Sequence, residues 1–192
     1  MSWLPSKVSP ASAAHESAPD QSIESLVALH HGFVWRVLRG LGFSRADADD
    51  AAQQVFMIVA RKIESINASS ARSFIYGSTL RVANNARRGR RRRREMATDD
   101  ELDRAEPEAL GPEQRATVVE ARALLRELLA QLPDKFRRVL ILAELEQLEV
   151  AEIAALERVP VGTAASRLRT ARQQFRELLE AARDRNPFLN EA

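Results

Sequence analysis

Arginine and asparagine are the residues of this chain whose types and spacing point most clearly to a chemistry. Eight arginines and no acid lie between Arg81 and Arg94, and Asn84 and Asn85 stand in the same stretch. Guanidinium groups bind phosphates, and an asparagine amide both donates to and accepts from the edge of a base. The stretch therefore indicates nucleic-acid binding, although the run 90–94 alone would bind any polyanion or remain a solvated tail.

The residue types that catalysis or a metal site would need are scarce. The chain has no cysteine, which excludes disulfides, thiolate zinc sites and cysteine nucleophiles. Its three histidines (His15, His30 and His31) lie near the start, without the spacing of metal ligands. We therefore expect no metal ion, no cofactor, no small-molecule substrate and no catalytic residue, which indicates a binding protein rather than an enzyme.

The net charge of +2 conceals a strong separation of charge along the chain. After the arginines, the segment 95–115 holds eight acids and two arginines, which is typical of a solvated linker behind a nucleic-acid-binding element. No apolar run approaches the length that spans a bilayer, and the first twenty residues lack the pattern of a signal peptide. We expect no membrane insertion and a cytoplasmic location.

Hydrophobic periodicity predicts an all-α fold of two small helical domains joined by a flexible acidic linker. Leu26, Leu29, Phe33 and Val37 fall on the stripe of a first helix, which glycines end, and Ser44 predicts the start of the second helix. Three helices form the first domain and four the second. The predicted boundaries are a disordered leader at 1–22, domains at 23–94 and 116–185, the linker at 95–115 and a tail at 186–192.

The last two helices have the pattern of a helix-turn-helix: a short helix, a tight turn with Pro160 and Gly162, and a long helix with a polar outer face. With apolar residues inward, this helix is predicted to present the outward set Thr163, Ser166, Arg167, Thr170 and Gln174. Arg167 suits a guanine edge, and Arg169 and Arg172 suit phosphates. The alternative is a helical hairpin with a solvated, arginine-rich face.

Motifs in both domains resemble those of the RNA polymerase sigma factors of the sigma-70 family. In the second domain, LPDKFRRV (132–139), ELEQL (144–148), AEIA (151–154) and VPVGT (159–163) resemble region 4, which reads the minus-thirty-five promoter element. In the first, DADDAAQQVF (47–56), FIYG (74–77) and RVANNARR (81–88) resemble region 2, which binds the minus-ten element and helps melt the duplex. The short linker is similar to that of the two-domain extracytoplasmic-function (ECF) class.

The resemblance implies a role for each set of polar residues. Core-polymerase binding is implied for Asp47, Asp49, Asp50, Gln53 and Gln54. Minus-ten DNA binding is implied for Asn67, Ser69, Arg81, Asn84, Asn85, Arg87, Arg88 and Arg91. Minus-thirty-five DNA binding is implied for Thr163, Ser166, Arg167, Arg169, Thr170 and Arg172.

The resemblance also implies partners and a mechanism. The chain would bind the beta-prime coiled coil and the beta flap of core RNA polymerase, together with promoter DNA, and an anti-sigma factor would hold it in check. It would direct promoter recognition, DNA melting and transcription initiation. The alternative is a helix-turn-helix regulator that never joins core polymerase. That alternative predicts a dimerisation stripe or a ligand pocket in the first domain, where the sequence instead has acids and arginines.

Overall fold

Serine caps fix where the first two helices begin. In the computed structural model, which describes residues 22–94 and 111–185 except for the side chains of 90–94 and 112–117, the Ser22 hydroxyl accepts a hydrogen bond from Ser25 N at 3.2 Å. The Ser44 hydroxyl accepts from Asp47 N at 3.1 Å, as the sequence predicts. Residues 1–21, 95–110 and 186–192, which include most of the predicted leader and linker and all of the tail, lie outside the described residues.

Three helices make the first half of the chain: α1 (Ile23–Gly40), α2 (Arg45–Ala60) and α3 (Ala71–Arg94). Two short 3-10 turns, Ile63–Ser65 and Ala68–Ser70, connect α2 to α3. The inward positions of all three helices carry aliphatic, alanine and aromatic side chains that form one core. This is the three-helix arrangement that the periodicity predicts.

Leu29 is the exception to the predicted core stripe of α1. Its side chain is 74% exposed, whereas Leu26, Phe33 and Val37 are buried. At 100° per residue, Leu29 lies just beyond the edge of the arc that these residues and Leu38 define, so it faces away from α2 and α3. The inward assignment of Leu29 is therefore wrong.

Four helices make the second half: α4 (Pro112–Gln131), α5 (Asp134–Leu140), α6 (Val150–Glu157) and α7 (Val161–Arg185). A single π-helical turn, Ile141–Leu145, extends α5. Throughout the part of the chain that the structure describes, all regular secondary structure is helical, which confirms the predicted all-α class.

Arg137 joins α4 to α5 from within the core. Its side chain is buried, and its guanidinium donates to the carbonyl oxygens of Ala130 at 2.7 Å and Leu132 at 2.9 Å. These carbonyls belong to the last turn of α4 and the residue after it, where no further helical turn supplies an N–H donor. Burial is the largest influence on the Arg137 pKa and lowers it.

The two halves share one continuous core. Buried residues of α1 to α3 and of α4 to α7 belong to the same apolar cluster. They pack tightly at Gly40, where an added Cβ atom would lie 2.8 Å from Cδ1 and 2.9 Å from Cγ1 of Ile141. Such distances are shorter than van der Waals contact, so a residue without a side chain is required at position 40 in this arrangement.

We expect Arg137→Met to lower the free energy of unfolding by about 2–3 kcal/mol, because one buried and one half-buried carbonyl would lose their charged donor while side-chain bulk is kept. The measurement is urea unfolding followed by circular dichroism. Arg122→Met, the same change at an exposed site on α4, is the control. Equal stability of the two variants would contradict the capping role of Arg137.

Candidate nucleic-acid interface

One exposed line along α3 carries four of the predicted minus-ten residues. Arg81, Asn84, Asn85 and Arg88 are all exposed and lie at positions i, i+3, i+4 and i+7, which a helix places on a single face. Arg88 donates to Oδ1 of Asn85 at 2.5 Å, so a cation and an amide lie side by side. The face combines groups for phosphates with groups for base edges.

Packing on the opposite side of α3 holds this line outward. Ile75, Val82 and Ala83 are buried in the core of the first half, as predicted. Thr79 is fully buried and satisfies its hydroxyl by donating to the Ile75 carbonyl at 2.9 Å. The orientation of the polar face therefore follows from apolar packing and not from the polar residues themselves.

The loop before α3 contributes two further predicted residues. Asn67 and Ser69 are exposed, and the turn Ala68–Ser70 lies directly before the first residue of α3. Ser70 donates to the Asn67 carbonyl at 3.0 Å, which leaves the Asn67 side-chain amide outside the turn. Small polar side chains therefore lie directly before the N-terminus of α3.

Arg87 and Arg91 differ from the rest of the predicted minus-ten set. Arg87 is half-buried and off the exposed line: its guanidinium donates to both carboxylate oxygens of Asp134 at 2.9 Å and to the Leu41 carbonyl at 2.7 Å. In this conformation Arg87 binds the second half of the protein. The side chain of Arg91 lies outside the described residues, although α3 continues past it.

On α2, the predicted polymerase-binding residues divide into two groups. Asp47 is half-buried beside the Ser44 cap, and Asp49 accepts a hydrogen bond from the Trp35 indole N–H at 2.8 Å. The second group is Asp50, Gln53 and Gln54, which are exposed on one face of α2. The half-exposed Met57 lies on the same face, one turn further along the helix. Sequence reasoning missed Met57, since a methionine in an apolar helix is usually core.

The helix-turn-helix is present as predicted, formed by α6, the turn 158–160 and α7. Glu149 and Glu152 form a capping box at the start of α6. Arg158 ends that helix with φ +54°, a left-handed conformation, and Val159 N donates back to the Ala154 carbonyl at 3.0 Å. The turn therefore reverses the chain through an Arg in the conformation that usually favours glycine.

The exposed line of α7 is rotated by about one residue from the predicted one. The exposed positions at its start are Val161, Gly162, Ala165, Ser166 and Arg169. Among the predicted residues, Thr163 and Thr170 are half-buried, whereas Ser166, Arg169 and Arg172 are exposed. Arg167 lies on the side of α7 that faces the buried Glu157 at the end of α6, and this packing leaves Arg167 half-buried.

Two predicted DNA-binding arginines of α7 form ion pairs with glutamates of the same chain. The Arg167 side chain is 27% exposed and lies 3.9 Å from Oε2 of Glu157. Arg172 is more exposed and donates from Nε to Oε1 of Glu144 at 2.8 Å. Ser166 and Arg169, both predicted minus-thirty-five residues, are exposed and lie one turn apart on α7.

Glu157 is the residue that sequence reasoning missed most completely. Its side chain is 2% exposed and accepts two hydrogen bonds from Arg138, at 2.8 and 2.9 Å. The Tyr76 hydroxyl donates to the same carboxylate at 2.5 Å from the first half of the chain. Burial is the main cause that raises the Tyr76 pKa, so the phenol keeps its proton and remains a donor. A glutamate before a turn gives no sequence signal for such a position.

An apolar groove opens on the second half, between α4, the extended α5 and α7. Its volume is about 490 Å³. Leu125, Leu129, Leu145, Phe175 and Leu179 supply apolar wall, while the charged lining residues are Glu144, Arg172 and Arg176. Leu125 and Leu145 are more than a third exposed, against the inward position predicted for Leu125. The groove is suited to the apolar side of a helix.

Among the described residues, no helix is long and apolar enough to cross a membrane. In the same part of the chain, no three His, Asp or Glu side chains gather closely enough to hold a metal ion.

Family models match both halves. The model for sigma-70 region 2 matches residues 26–93, and the model for sigma-70 region 4 matches residues 122–175. The chain is 30% identical to the ECF RNA polymerase sigma factor SigE of Mycolicibacterium smegmatis over 182 residues, which cover 92% of this chain and 71% of SigE.

Two solved structures are similar in fold. CnrH, in a complex with the cytosolic domain of CnrY, aligns with a TM-score of 0.64 at 21% identity, over 83% of this chain and 88% of CnrH. The sigma factor RpoE of Bartonella quintana, in a complex with the anti-sigma factor NepR, aligns with a TM-score of 0.60 at 18% identity. That alignment covers 82% of this chain and 96% of RpoE.

The exposed line of α3 generates a prediction about charge. We expect Arg81→Gln with Arg88→Gln to reduce the salt dependence of DNA binding, because two phosphate contacts are lost. The slope of log K against log salt concentration should become less negative by about 1.5–2. The measurement is fluorescence anisotropy of a labelled duplex across a salt series. Arg61→Gln with Lys62→Gln removes the same charge from exposed positions after α2, and this control should leave the slope unchanged. Equal slopes in the two variants would contradict the assignment.

Proposed function

The chain belongs to the extracytoplasmic-function sigma factors of the sigma-70 family, and from this we propose that it binds core RNA polymerase and reads promoters through α3 and α7. The observation that carries the proposal is the exposed line of Arg81, Asn84, Asn85 and Arg88 on α3, since it matches the demands of a melted strand. Cations hold the phosphates, and amides read the bases. A second DNA-reading unit, the helix-turn-helix, lies in the same chain.

In binding the minus-ten element, the asparagines and the arginines of α3 have different roles. Asn84 and Asn85 carry the sequence information, because an amide that pairs with adenine both donates and accepts. Arg81 and Arg88 hold the backbone regardless of sequence. The small polar loop with Asn67 and Ser69 supplies hydrogen bonds to a base that leaves the stack.

Two surfaces of the chain serve core polymerase. The exposed face of Asp50, Gln53, Gln54 and Met57 on α2 docks on the beta-prime coiled coil, where acids complement basic helices and Met57 adds apolar contact. The groove on the second half receives an apolar helix face of the beta flap. The groove's volume and the arginines at its rim support this assignment.

The chain acts in the cytoplasm as a binding subunit with no catalytic residue of its own, and polymerase performs the chemistry. Regulation is exerted by an anti-sigma factor. Support for this part comes from RpoE, which forms a complex with the anti-sigma factor NepR. An anti-sigma factor that covers α2 or the groove would compete directly with polymerase.

The experiment that tests the function is run-off transcription with purified core polymerase on a promoter library, because only a sigma factor confers new start sites. We expect the wild-type protein to do so. Asp50→Arg with Gln53→Ala should weaken core binding in a pull-down by at least about tenfold, since a repulsive charge replaces an attractive one, while helicity stays unchanged. Glu64→Arg, a charge reversal elsewhere on the first half, is the control.

Absence of new start sites would overturn the proposed function. Near-wild-type core binding by the Asp50→Arg, Gln53→Ala variant, with new start sites retained, would instead overturn only the role of α2. The helix-turn-helix regulator that acts without polymerase predicts promoter binding with no effect of core polymerase.

The rotated exposed line of α7 changes which arginine is expected to read the minus-thirty-five element. Spacing alone predicts Arg167, but Arg169 is the exposed arginine beside Ser166, whereas Arg167 faces Glu157. Arg169→Ala should change base preference at one or two positions by about 1–3 kcal/mol. Arg167→Ala should change it less.

Holoenzyme binding to promoter duplexes with single minus-thirty-five substitutions measures both effects. Arg185→Ala, at the far end of α7, is the matched control. A larger change of preference in Arg167→Ala than in Arg169→Ala would restore the assignment made from spacing.

A further inference from the structure

We propose that Trp35 of α1 is a positioning residue of the polymerase-binding site, where its indole holds the Asp49 carboxylate of α2 ready for a cation of core polymerase. The role rests on the proposed function, in which the exposed face of α2 docks on core polymerase. The motifs of the sequence imply polymerase contacts on α2 alone, and they assign nothing to Trp35.

The indole of Trp35 lies at the boundary between the core and the surface. Trp35 is half-buried and packs against the apolar core. Its N–H donates to Oδ1 of Asp49 at 2.8 Å, across the contact between α1 and α2. A tryptophan in such a place buries an apolar ring while its one polar atom finds a partner at the surface. The side chain of α1 thus reaches a carboxylate of the neighbouring helix.

Arg39, one turn after Trp35 on α1, restricts the indole further. Its guanidinium carbon lies 5.5 Å from the centroid of the Trp35 ring, which is within the range of a cation–π contact. The same guanidinium donates from Nη1 to the Phe43 carbonyl oxygen at 2.8 Å, so the backbone between α1 and α2 fixes its position. The indole is therefore held by the core, by Arg39 and by Asp49 together.

The hydrogen bond from Trp35 engages one oxygen of Asp49 and leaves the other for a partner. Asp49 is exposed, and within residues 22–94 and 111–185 its Oδ2 atom accepts no hydrogen bond. An ionised carboxylate is an acceptor at both oxygens, and its bonds to arginine or lysine are stronger than those between neutral groups. Because the indole fixes Oδ1, the orientation of Oδ2 is set before a partner arrives.

Asp49 lies on the border of the exposed face of α2 that is nearest to α1. At about 100° per residue, the exposed positions follow one another around the helix over an arc of about 140°, in the order 49, 53, 57, 50 and 54. On the other side of Asp49 comes the buried Phe56, and the ring of His31 stacks on Phe56 at 6.2 Å between centroids. His31 and Trp35, one turn apart on α1, therefore border the face of α2.

The chemistry of this border fits a basic surface of core polymerase. Asp49 and Asp50 are exposed acids at adjacent positions, so a partner with arginine or lysine is complementary to them. Binding to a carboxylate that rotates freely costs the entropy of fixing it, whereas Asp49 is already fixed by the indole. For a short side chain this advantage corresponds to about two- to fivefold in the dissociation constant.

The test is a double-mutant cycle on the full-length protein, with the dissociation constant for core polymerase as the measured quantity. Trp35→Phe keeps an aromatic ring and removes the N–H donor, and Asp49→Ala removes the carboxylate. We expect Trp35→Phe to weaken core binding about two- to fivefold when Asp49 is present, and to have no further effect in the Asp49→Ala variant. Asp50→Ala is the matched control, because Asp50 is exposed on the same face but lies about 100° further around α2. In that variant Trp35→Phe should weaken binding by its full factor.

The position of the indole is measured separately in the free protein. The chain has two tryptophans, so Trp3→Phe leaves Trp35 as the only one. In this background the near-ultraviolet circular dichroism of Trp35 should lose intensity in Asp49→Ala, because the ring gains mobility, and should be unchanged in Asp50→Ala. This measurement does not depend on whether Trp35→Phe folds, and far-ultraviolet circular dichroism checks the helices of every variant.

Several outcomes would overturn the positioning role. One is equal weakening by Trp35→Phe with and without the Asp49 carboxylate, which is what a merely structural role predicts. Others are an unchanged dissociation constant in Trp35→Phe and an unchanged indole signal in Asp49→Ala. If Asp49→Ala binds core polymerase like wild type while Asp50→Arg with Gln53→Ala does not, Trp35 has no role in the site but the proposed function stands. A wild-type protein that does not bind core polymerase would overturn both.

Discussion

A single buried carboxylate, that of Glu157, contacts side chains from three different helices. Charge removed from water needs partners, and Glu157 finds them on three elements: Arg138 on α5, Tyr76 on α3 and Arg167 on α7. The hydrogen bond to Glu157 is the largest influence on the Arg138 pKa and raises it, which is the sign of a stable ion pair. Glu157, at the end of α6, therefore links α3, α5 and α7 through its contacts.

Two of the arginines proposed to bind DNA also form ion pairs within the protein. Arg87 pairs with the carboxylate of Asp134, and Arg172 with that of Glu144, so neither arginine is exposed as an unpaired cation. Arg81 and Arg88 have no such acid in the contacts described, and they offer the first point of attraction for a nucleic acid.

Patterns in the sequence predict the fold well, because helical periodicity and end signals are local. The Ser44 cap, the end of α1 at Gly40 and the helix-turn-helix all follow from residues within a few positions of one another. What could not be predicted depends on contacts between distant segments. The burial of Glu157 and the direction in which Arg169, rather than Arg167, is exposed are set by how helices pack, and a stripe read from spacing leaves about one residue of rotation undetermined.

The side chain of Ile141 fills the space next to Gly40, so the residues at positions 40 and 141 constrain each other. A larger residue at position 40 is tolerated only if position 141 becomes smaller, since the space between them is already filled. Neither half can therefore be exchanged for its counterpart from a relative without regard to the other. Two segments that are about one hundred residues apart in the chain are thus coupled by volume at this contact, and we expect positions 40 and 141 to vary together among relatives.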